Sequence, residues 1–144
     1  MTVVVDASVW LLLAHPSDPR SPEARRLVGE IARVVGFAAP SMLAHEVVHI
    51  IHVKQRSATE TLETRQARVR ALLDLVTLHP SHSANQARLA EETGLSAYDA
   101  AYVDLAERLG SMLLTEDAKM HRAGAKVLGT KKSLRLADLA KLVD

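Results

Sequence analysis

The sequence contains no cysteine and few aromatic residues. The lack of cysteine excludes disulfide bonds, thiolate metal sites and cysteine nucleophiles, and it is typical of proteins in a reducing compartment. With only one Phe and one Trp in 144 residues, the core must be built from Ala, Val, Leu and Ile. Such a core suits a parallel sheet that is covered by helices.

The chain also lacks an excess of either charge and any long hydrophobic run. Its 18 Lys and Arg residues nearly balance 17 Asp and Glu, so net charge does not by itself indicate a nucleic-acid-binding protein. The N-terminus has no basic region and carries a charge at Asp6, which argues against a signal peptide. No apolar run approaches membrane-spanning length. We therefore expect a cytoplasmic protein that does not associate with membranes.

Short apolar runs alternate with helical patterns along the chain. Strands are predicted at 2–5, 37–39, 76–78, 112–114 and 126–128. The helix predicted after the first strand, over 7–14, is expected to stop at His15-Pro16. We find no internal repeat or domain linker. The pattern predicts a single α/β domain over 1–144, with a parallel sheet of four to five short strands flanked by helices on both faces.

Two acidic residues follow predicted strands. Asp6 comes directly after the first strand, and Asp117 follows 112–114 with two residues between them. In open parallel sheets, ligands bind outside the carboxyl ends of the strands. The alternative is that each carboxylate caps the helix that begins there, because Asp is a preferred N-cap residue.

Glu46 lies on the apolar side of a predicted helix over 42–54. On a helical wheel, Met42, Ile50 and Val53 lie within about 40° of it. Because burial of an unpaired charge is costly, a metal ion, an Arg or a Lys is expected to meet this carboxylate.

Asp99 repeats this pattern on the predicted helix over 97–109. Val103 and Ala106 flank it on one face, and Tyr102 lies close by. Asp104 is turned about 140° away and is interpreted as a solvated surface charge. For both Glu46 and Asp99, a buried salt bridge to an Arg remains the structural alternative.

Four such acids in one small domain would repel one another strongly without a cation. Oxygen ligands are those that Mg²⁺ and Mn²⁺ prefer. Carboxylates that hold one or two of these ions can support cleavage of phosphodiesters by an activated water. The sequence therefore predicts a metal site formed by Asp6, Glu46, Asp99 and Asp117.

These residues resemble the PIN-domain family, and specifically the VapC-type toxins of toxin–antitoxin pairs. The resemblance covers nearly the whole chain in order. The matching segments are Val4-Val5-Asp6-Ala7-Ser8, Ala39-Pro40 with Glu46-Val47, Leu95-Ser96-Ala97-Tyr98-Asp99-Ala100-Ala101-Tyr102 with Leu105-Ala106-Glu107-Arg108-Leu109-Gly110, and Leu113-Leu114-Thr115-Glu116-Asp117.

The resemblance implies a metal-dependent endoribonuclease that uses Mg²⁺ or Mn²⁺. It places the family's acidic quartet on the four acids above, and the hydroxyl groups that orient a carboxylate or a water on Ser8 and Thr115. It also implies an RNA substrate, a cognate antitoxin that holds the toxin inactive, and a homodimer. Two alternatives stay open: a housekeeping RNA-processing nuclease, and a PIN fold that serves only as a binding module.

A second motif competes for Glu46. The segment His45-Glu46-Val47-Val48-His49 matches the H-E-x-x-H pattern of zinc hydrolases, and His52 adds a third imidazole. The longer zinc-protease pattern fails, because position 55 is Gln. Zinc would also leave the other three acids unexplained, so the favoured interpretation of the histidines is a polar or interface face.

Basic residues form two clusters. The first lies along the predicted helix over 59–75 and includes Arg65 and Arg68, where Glu60 and Glu63 also occur. The second lies toward the C-terminus, and from it we predict RNA contacts by Lys119, Arg122, Lys131 and Lys132.

Overall fold

The computed structural model describes residues 1–15 and 17–144. The strands are β1 (Thr2–Val5), β2 (Gly36–Pro40), β3 (Val76–His79), β4 (Met112–Leu114) and β5 (Ser133–Leu134). The α-helices are α1 (Ala7–Ala14), α2 (Ser21–Ile31), α3 (Leu43–His49), α4 (Leu62–Leu73), α5 (Ser83–Thr93), α6 (Ala97–Leu109), α7 (Ala118–Leu128) and α8 (Leu136–Val143). A π-helical segment, Ile50–Lys54, continues α3, and a 3-10 turn, Thr130–Lys132, precedes β5. The predicted stop at His15-Pro16 involves Pro16, which lies outside the described residues.

All five strands form one parallel sheet in the order β3-β2-β1-β4-β5. The predicted parallel α/β fold is therefore confirmed. The strand predicted at 126–128 is wrong, because these residues complete α7. Met120, Ala123 and Gly124 are buried at helical spacing and hold this segment as a helix. The last strand comes later, at Ser133–Leu134.

The helices cover both faces of the sheet, as predicted. The chain runs outward from β1 through β2 to β3, and then crosses back to β4 and β5. Because crossovers between parallel strands are right-handed, these two directions place their helices on opposite faces. The contacts agree: α1 packs on α2, α3 and α4, and α2 packs on α8, whereas α6 packs on α5 and α7.

Helix α6 is buried nearly all round, and this overturns the prediction for Asp104. The helix contacts β1, β2 and β4 on one side and α5 and α7 on others, so residues 100–106 are all buried. Asp104 is 1% exposed and is not a solvated surface charge. It accepts hydrogen bonds from Arg108 Nε at 3.0 Å and from the Asn85 amide. The helical wheel failed here because it assumes a helix with one solvated face.

The strand order creates a crevice at one edge of the sheet. After β1 the chain crosses to β2 on one side, whereas after the neighbouring β4 it crosses to β5 on the other side. A crevice opens where connections part in this way, outside the carboxyl ends of the two strands. Asp6 and Thr115 are the residues that follow β1 and β4, so both lie at this crevice.

Helix α7 lies so close to the sheet at Gly124 that any larger residue would force neighbouring side chains to shift. A Cβ atom there would lie 2.7 Å from Ser133 Oγ and 2.9 Å from a Leu113 methyl. Gly29 on α2 gives a matched contrast, because no atom lies within 4 Å of its Cβ position.

We expect Gly124→Ala to lower the free energy of unfolding by about 1–3 kcal/mol, because the added methyl overpacks the helix against the sheet. Gly29→Ala should instead raise it by about 0.5–1 kcal/mol, because alanine is the better helix former. Urea denaturation of both variants measures these changes in stability as shifts of the transition midpoint, provided that the dependence of the free energy on urea concentration is unchanged. Equal effects of the two substitutions would contradict the close approach of α7.

Candidate active site

Asp6 is the most deeply buried of the four predicted acids, at 3% exposure. It occupies the N-cap position of α1, but its side chain makes no capping hydrogen bond. Instead, Ser8 Oγ donates to Asp6 Oδ1 at 2.6 Å. Ser8 therefore provides the main side-chain contact of the Asp6 carboxylate, and Asp6 is not simply the cap of α1.

Burial raises the pKa of Asp6 to about 7. Hydrogen bonds from the Ser8 and Thr115 hydroxyls and from the Val9 backbone oppose this rise in pKa, and the charge of Asp117 adds to it. The two predicted hydroxyl residues thus both lie at Asp6. They stabilise its ionised form, which is the form that can bind a cation.

The two hydroxyls also fix the loop that follows β4. Ser8 Oγ accepts from the Glu116 backbone N–H at 3.0 Å, and Thr115 Oγ1 accepts from the Asp117 N–H at 3.0 Å. Asp117 is exposed at the N-cap of α7, where its side chain accepts from the Met120 N–H at 2.7 Å. For Asp117, the capping interpretation is confirmed, and the cap holds the carboxylate beside Asp6.

Glu46 reaches the same region from α3. It accepts a hydrogen bond at 2.9 Å from the hydroxyl of Tyr102, which is 1% exposed on α6. Glu46 itself is half-buried, because the buried face of α3 is formed by Leu43 and Val47. Desolvation raises the pKa of Glu46, the Tyr102 hydrogen bond opposes that rise, and the charge of Asp99 adds to it.

Asp99 lies in the first turn of α6. Its backbone N–H donates to the hydroxyl of Ser96, the N-cap residue, at 3.1 Å. Desolvation raises the pKa of the Asp99 carboxyl, and the charge of Asp117 raises it further. Ser96 and Lys119 oppose this rise. Asp99 thus interacts with both Glu46 and Asp117, and Asp117 with Asp6.

The structure therefore brings the four carboxylates into one group with mutual repulsion. In the part of the chain that the structure describes, none of the four takes part in an ion pair within 4.0 Å. The buried salt bridge that was considered for Glu46 and Asp99 is instead the environment of Asp104, which pairs with Arg108.

The chemistry of this group fits a hard divalent cation. Its donors are carboxylate and hydroxyl oxygens, which Mg²⁺ and Mn²⁺ prefer. The placement is looser than a closed cage: within residues 1–15 and 17–144, no three His, Asp or Glu side chains are grouped closely enough to hold a metal ion as they stand. Mg²⁺ usually keeps several of its waters and needs few direct carboxylate ligands. The role of the four acids as metal ligands stays a prediction.

Among the described residues, the histidines of the competing motif do not form a metal-binding cluster with Glu46. His45 and His49 are exposed, whereas Glu46 is engaged by Tyr102. His52 accepts a hydrogen bond from Arg65 Nε at 3.4 Å. Glu46 therefore belongs with the carboxylates and is not grouped with the three imidazoles.

The structure separates the four basic residues predicted to contact RNA. Lys119, in the first turn of α7, donates to the Gly94 carbonyl at 2.7 Å and lies near Asp99. Arg122 is exposed further along α7. Lys131 and Lys132 precede β5 and therefore lie at the amino ends of the parallel strands, whereas the acids lie at the carboxyl ends.

Part of the other basic cluster is structural. Arg65 is 6% exposed and donates to the Glu60 carbonyl at 2.7 Å. Arg68 pairs with the Glu60 carboxylate at 2.7 Å. These two guanidinium groups fix the segment that leads into α4 and are not free for phosphate.

Sequence reasoning noted Tyr102 only as a neighbour of Asp99 and missed its bond to Glu46. The available signal was its position three residues after Asp99, since residues at this spacing share a helix face. No local pattern relates residues of α3 to residues of α6, so the partner of Tyr102 was not predictable.

The family model of the PIN domain matches residues 3–126. Ribonuclease VapC3 of Mycobacterium tuberculosis, from strains CDC 1551 / Oshkosh and ATCC 25618 / H37Rv, is 36% identical over 123 residues, which are 84% of this chain and 86% of the relative.

Two solved structures share the fold. The crystal structure of PAE2754 from Pyrobaculum aerophilum matches with a TM-score of 0.69 at 20% identity, over 98% of this chain and 90% of the other. VapBC2 from Rickettsia felis, bound to a DNA fragment from its promoter, matches with a TM-score of 0.65 at 14% identity, over 85% of this chain and 93% of the other. At these identities the two structures support the fold alone. The family model and the VapC3 relative extend over most of the sequence, and this chain therefore belongs to the PIN-domain family.

Proposed function

We propose that this protein is a metal-dependent endoribonuclease and the toxin of a toxin–antitoxin pair. The observation that carries the proposal is the group of four mutually repelling carboxylates, free of ion pairs among the described residues, at the crevice of a PIN domain. The 36% identity to a protein named ribonuclease VapC3 supports RNA as the substrate. A divalent cation, Mg²⁺ or Mn²⁺, is the expected cofactor.

Each residue of the site has a distinct task in this proposal. Asp6 and Asp99 are the central ligands, and Glu46 and Asp117 are ligands directly or through water. Ser8 and Thr115 orient Asp6, and their hydrogen bonds favour its ionised form. The bound cation would lower the pKa of water and stabilise the charge that develops on the phosphate. The Tyr102 hydroxyl positions the Glu46 carboxylate.

The two alternatives differ from this proposal in what they require. A binding module needs no cleavage, whereas the site holds the acidic group that phosphodiester hydrolysis uses. A housekeeping nuclease would cut RNA without an antitoxin. The 36% identity to a relative named VapC3 favours the toxin in this proposal. A homodimer is part of the proposal as well.

An apolar groove on the face of α1, α2 and α4 supports the antitoxin as partner. It has a volume of about 520 Å³, and its lining includes Trp10, Phe37, Leu72 and Leu75. Arg25 also lines this groove, whereas the guanidinium of Arg68 at its wall is already paired with Glu60. A helix with an apolar face and acidic flanks matches this combination, in the manner of helix-in-groove recognition. We place the antitoxin in this groove.

Asp99→Asn should lower RNA cleavage by at least about 100-fold, because it removes the charge of a central ligand. The fold should persist, because the substitution also relieves repulsion with Asp117. Cleavage of total RNA with added Mg²⁺, Mn²⁺ or EDTA measures the effect. Asp74→Asn, at the exposed end of α4, is the matched control and should cleave like the wild type. Wild-type cleavage by Asp99→Asn would contradict the site.

We expect the metal-free protein to lose stability as the pH rises from about 4 to 7. The folded-state pKa of Asp6 is about 7 against 3.8 for the free group, so the folded protein keeps a proton that the unfolded chain releases. The free energy of unfolding should fall by at most about 4 kcal/mol over this range, and Asp6→Asn should abolish this pH dependence. Thermal unfolding of both proteins across this range measures the difference.

Mn²⁺ added at pH 8 should raise the melting temperature of the wild type, because a ligand that binds only the folded state stabilises it. The Asp6→Asn variant should respond much less. An equal rise in both proteins would show that Asp6 does not bind the cation.

Ala71→Arg should weaken inhibition by the antitoxin and leave cleavage unchanged, because Ala71 is an exposed residue of the groove, remote from the acids. The partner to use is the cognate antitoxin, co-expressed with this chain. Ala87→Arg, exposed on α5 on the opposite face, is the control. If Ala71→Arg is inhibited as strongly as the control, the groove does not hold the antitoxin.

A further inference from the structure

Tyr98 is the one aromatic side chain that the described residues leave exposed. The chain has four aromatic residues, all within the described part. Trp10, Phe37 and Tyr102 are 0%, 5% and 1% exposed, whereas Tyr98 is 70% exposed. The first three form the core or hold Glu46. Packing does not account for the fourth ring, which contributes little buried surface to the fold.

The position of this ring links it to the acidic group. Tyr98 directly precedes Asp99 in the first turn of α6. It also lies four residues before Tyr102, so the two rings share a helix face, one turn apart. The Tyr102 hydroxyl reaches Glu46 on that face. Tyr98 therefore lies on the side of α6 that carries the acids, one turn closer to solvent.

The backbone that carries Tyr98 is firmly held. Ser96 caps the helix through the Asp99 N–H at 3.1 Å. Gly94 adopts a left-handed conformation with φ of 73°, and its carbonyl accepts from Lys119 Nζ at 2.7 Å. The ammonium group of Lys119 is thus fixed against the loop that leads into the Tyr98 turn. These three groups suit three parts of an RNA strand. The ring of Tyr98 suits a base, the ammonium of Lys119 suits a backbone phosphate, and the carboxylates suit the phosphodiester that is cleaved.

We propose that Tyr98 stacks on an unpaired base next to the cleaved phosphodiester and so is the residue that holds the RNA strand beside the acids. This inference rests on the proposed ribonuclease function. An aromatic ring stacks on any base, so it selects for an accessible base face and not for a sequence. A-form duplexes keep their bases stacked inside, whereas loops and single strands can splay them onto a protein ring. Tyr98 is a specificity-determining residue in this proposal.

Tyr98→Ala should lower kcat/KM on a short single-stranded RNA by about 5- to 100-fold, with most of the change in KM, because loss of base–aromatic stacking costs about 1–3 kcal/mol. Tyr98→Phe keeps the ring and should stay near the wild type. Tyr98→Leu keeps apolar bulk without a ring and should resemble Tyr98→Ala. The same RNA annealed into a duplex should be a poor substrate for all four proteins, with little difference among them.

A set of oligonucleotides with one abasic site stepped along the strand identifies the stacked base. One position should impair the wild type by the same factor as Tyr98→Ala. That abasic site should have no further effect on the alanine variant, because the two partners of one contact are not additive. Additive losses at every position would overturn the proposal.

The remaining outcomes separate the two levels of inference. If the wild type cuts no RNA with Mg²⁺ or Mn²⁺, the proposed function fails. If the wild type cuts and Tyr98→Ala cuts equally well, only the stacking role fails. If Tyr98→Phe does not retain wild-type cleavage, or if Tyr98→Ala leaves cleavage unchanged but abolishes inhibition by the cognate antitoxin, Tyr98 serves the turn or the partner surface, and the proposal is overturned. Melting temperatures of the variants report any damage to the turn.

Discussion

Repulsion among carboxylates at the carboxyl edge of the sheet is the constraint on which the rest of this structure depends. Asp6 is buried beside Thr115, and burial raises its pKa to about 7. The fold places it there because β1 and β4 are neighbours whose chains leave in opposite directions. Bringing these carboxylates together raises the electrostatic free energy of the folded protein, and a bound divalent cation is the simplest means of offsetting that increase.

Elsewhere the molecule satisfies its buried charges with its own side chains, and the contrast defines the site. Asp104 is as buried as Asp6, but it has Arg108 and Asn85 as partners. Arg65 and Arg68 are matched by the carbonyl and the carboxylate of Glu60. At the crevice, hydroxyl groups take the place of cationic partners. Hydroxyls orient a carboxylate without neutralising it, so its charge stays available to a bound ion.

The sequence allowed the sheet and the quartet to be predicted because both depend on local signals. A β-branched run that ends in Asp identifies β1 and Asp6, and the acids near Tyr102 match the segments of a known family. The errors arose where tertiary packing overrides local patterns. Asp104 was misjudged because α6 is enclosed by the sheet and two helices, and 126–128 was misjudged because α7 extends through it. The bond between Tyr102 and Glu46 joins residues 56 positions apart, and no local pattern contains that register.

The groove and the acidic crevice share one element, α1, and this relation limits how a partner can act. Asp6 immediately precedes α1, and Trp10 and Leu13 of the same helix line the groove. At a rise of 1.5 Å per residue, these two groove residues lie about 6 Å and about 10 Å from Asp6 along the helix. A partner segment that fills only the end of the groove at Leu13 would therefore not cover the carboxylates. A partner that binds there must inhibit through a further segment that extends to the crevice, and the exposed ring of Tyr98 lies at that edge. A segment that covers this edge would compete with an RNA strand for the same ring.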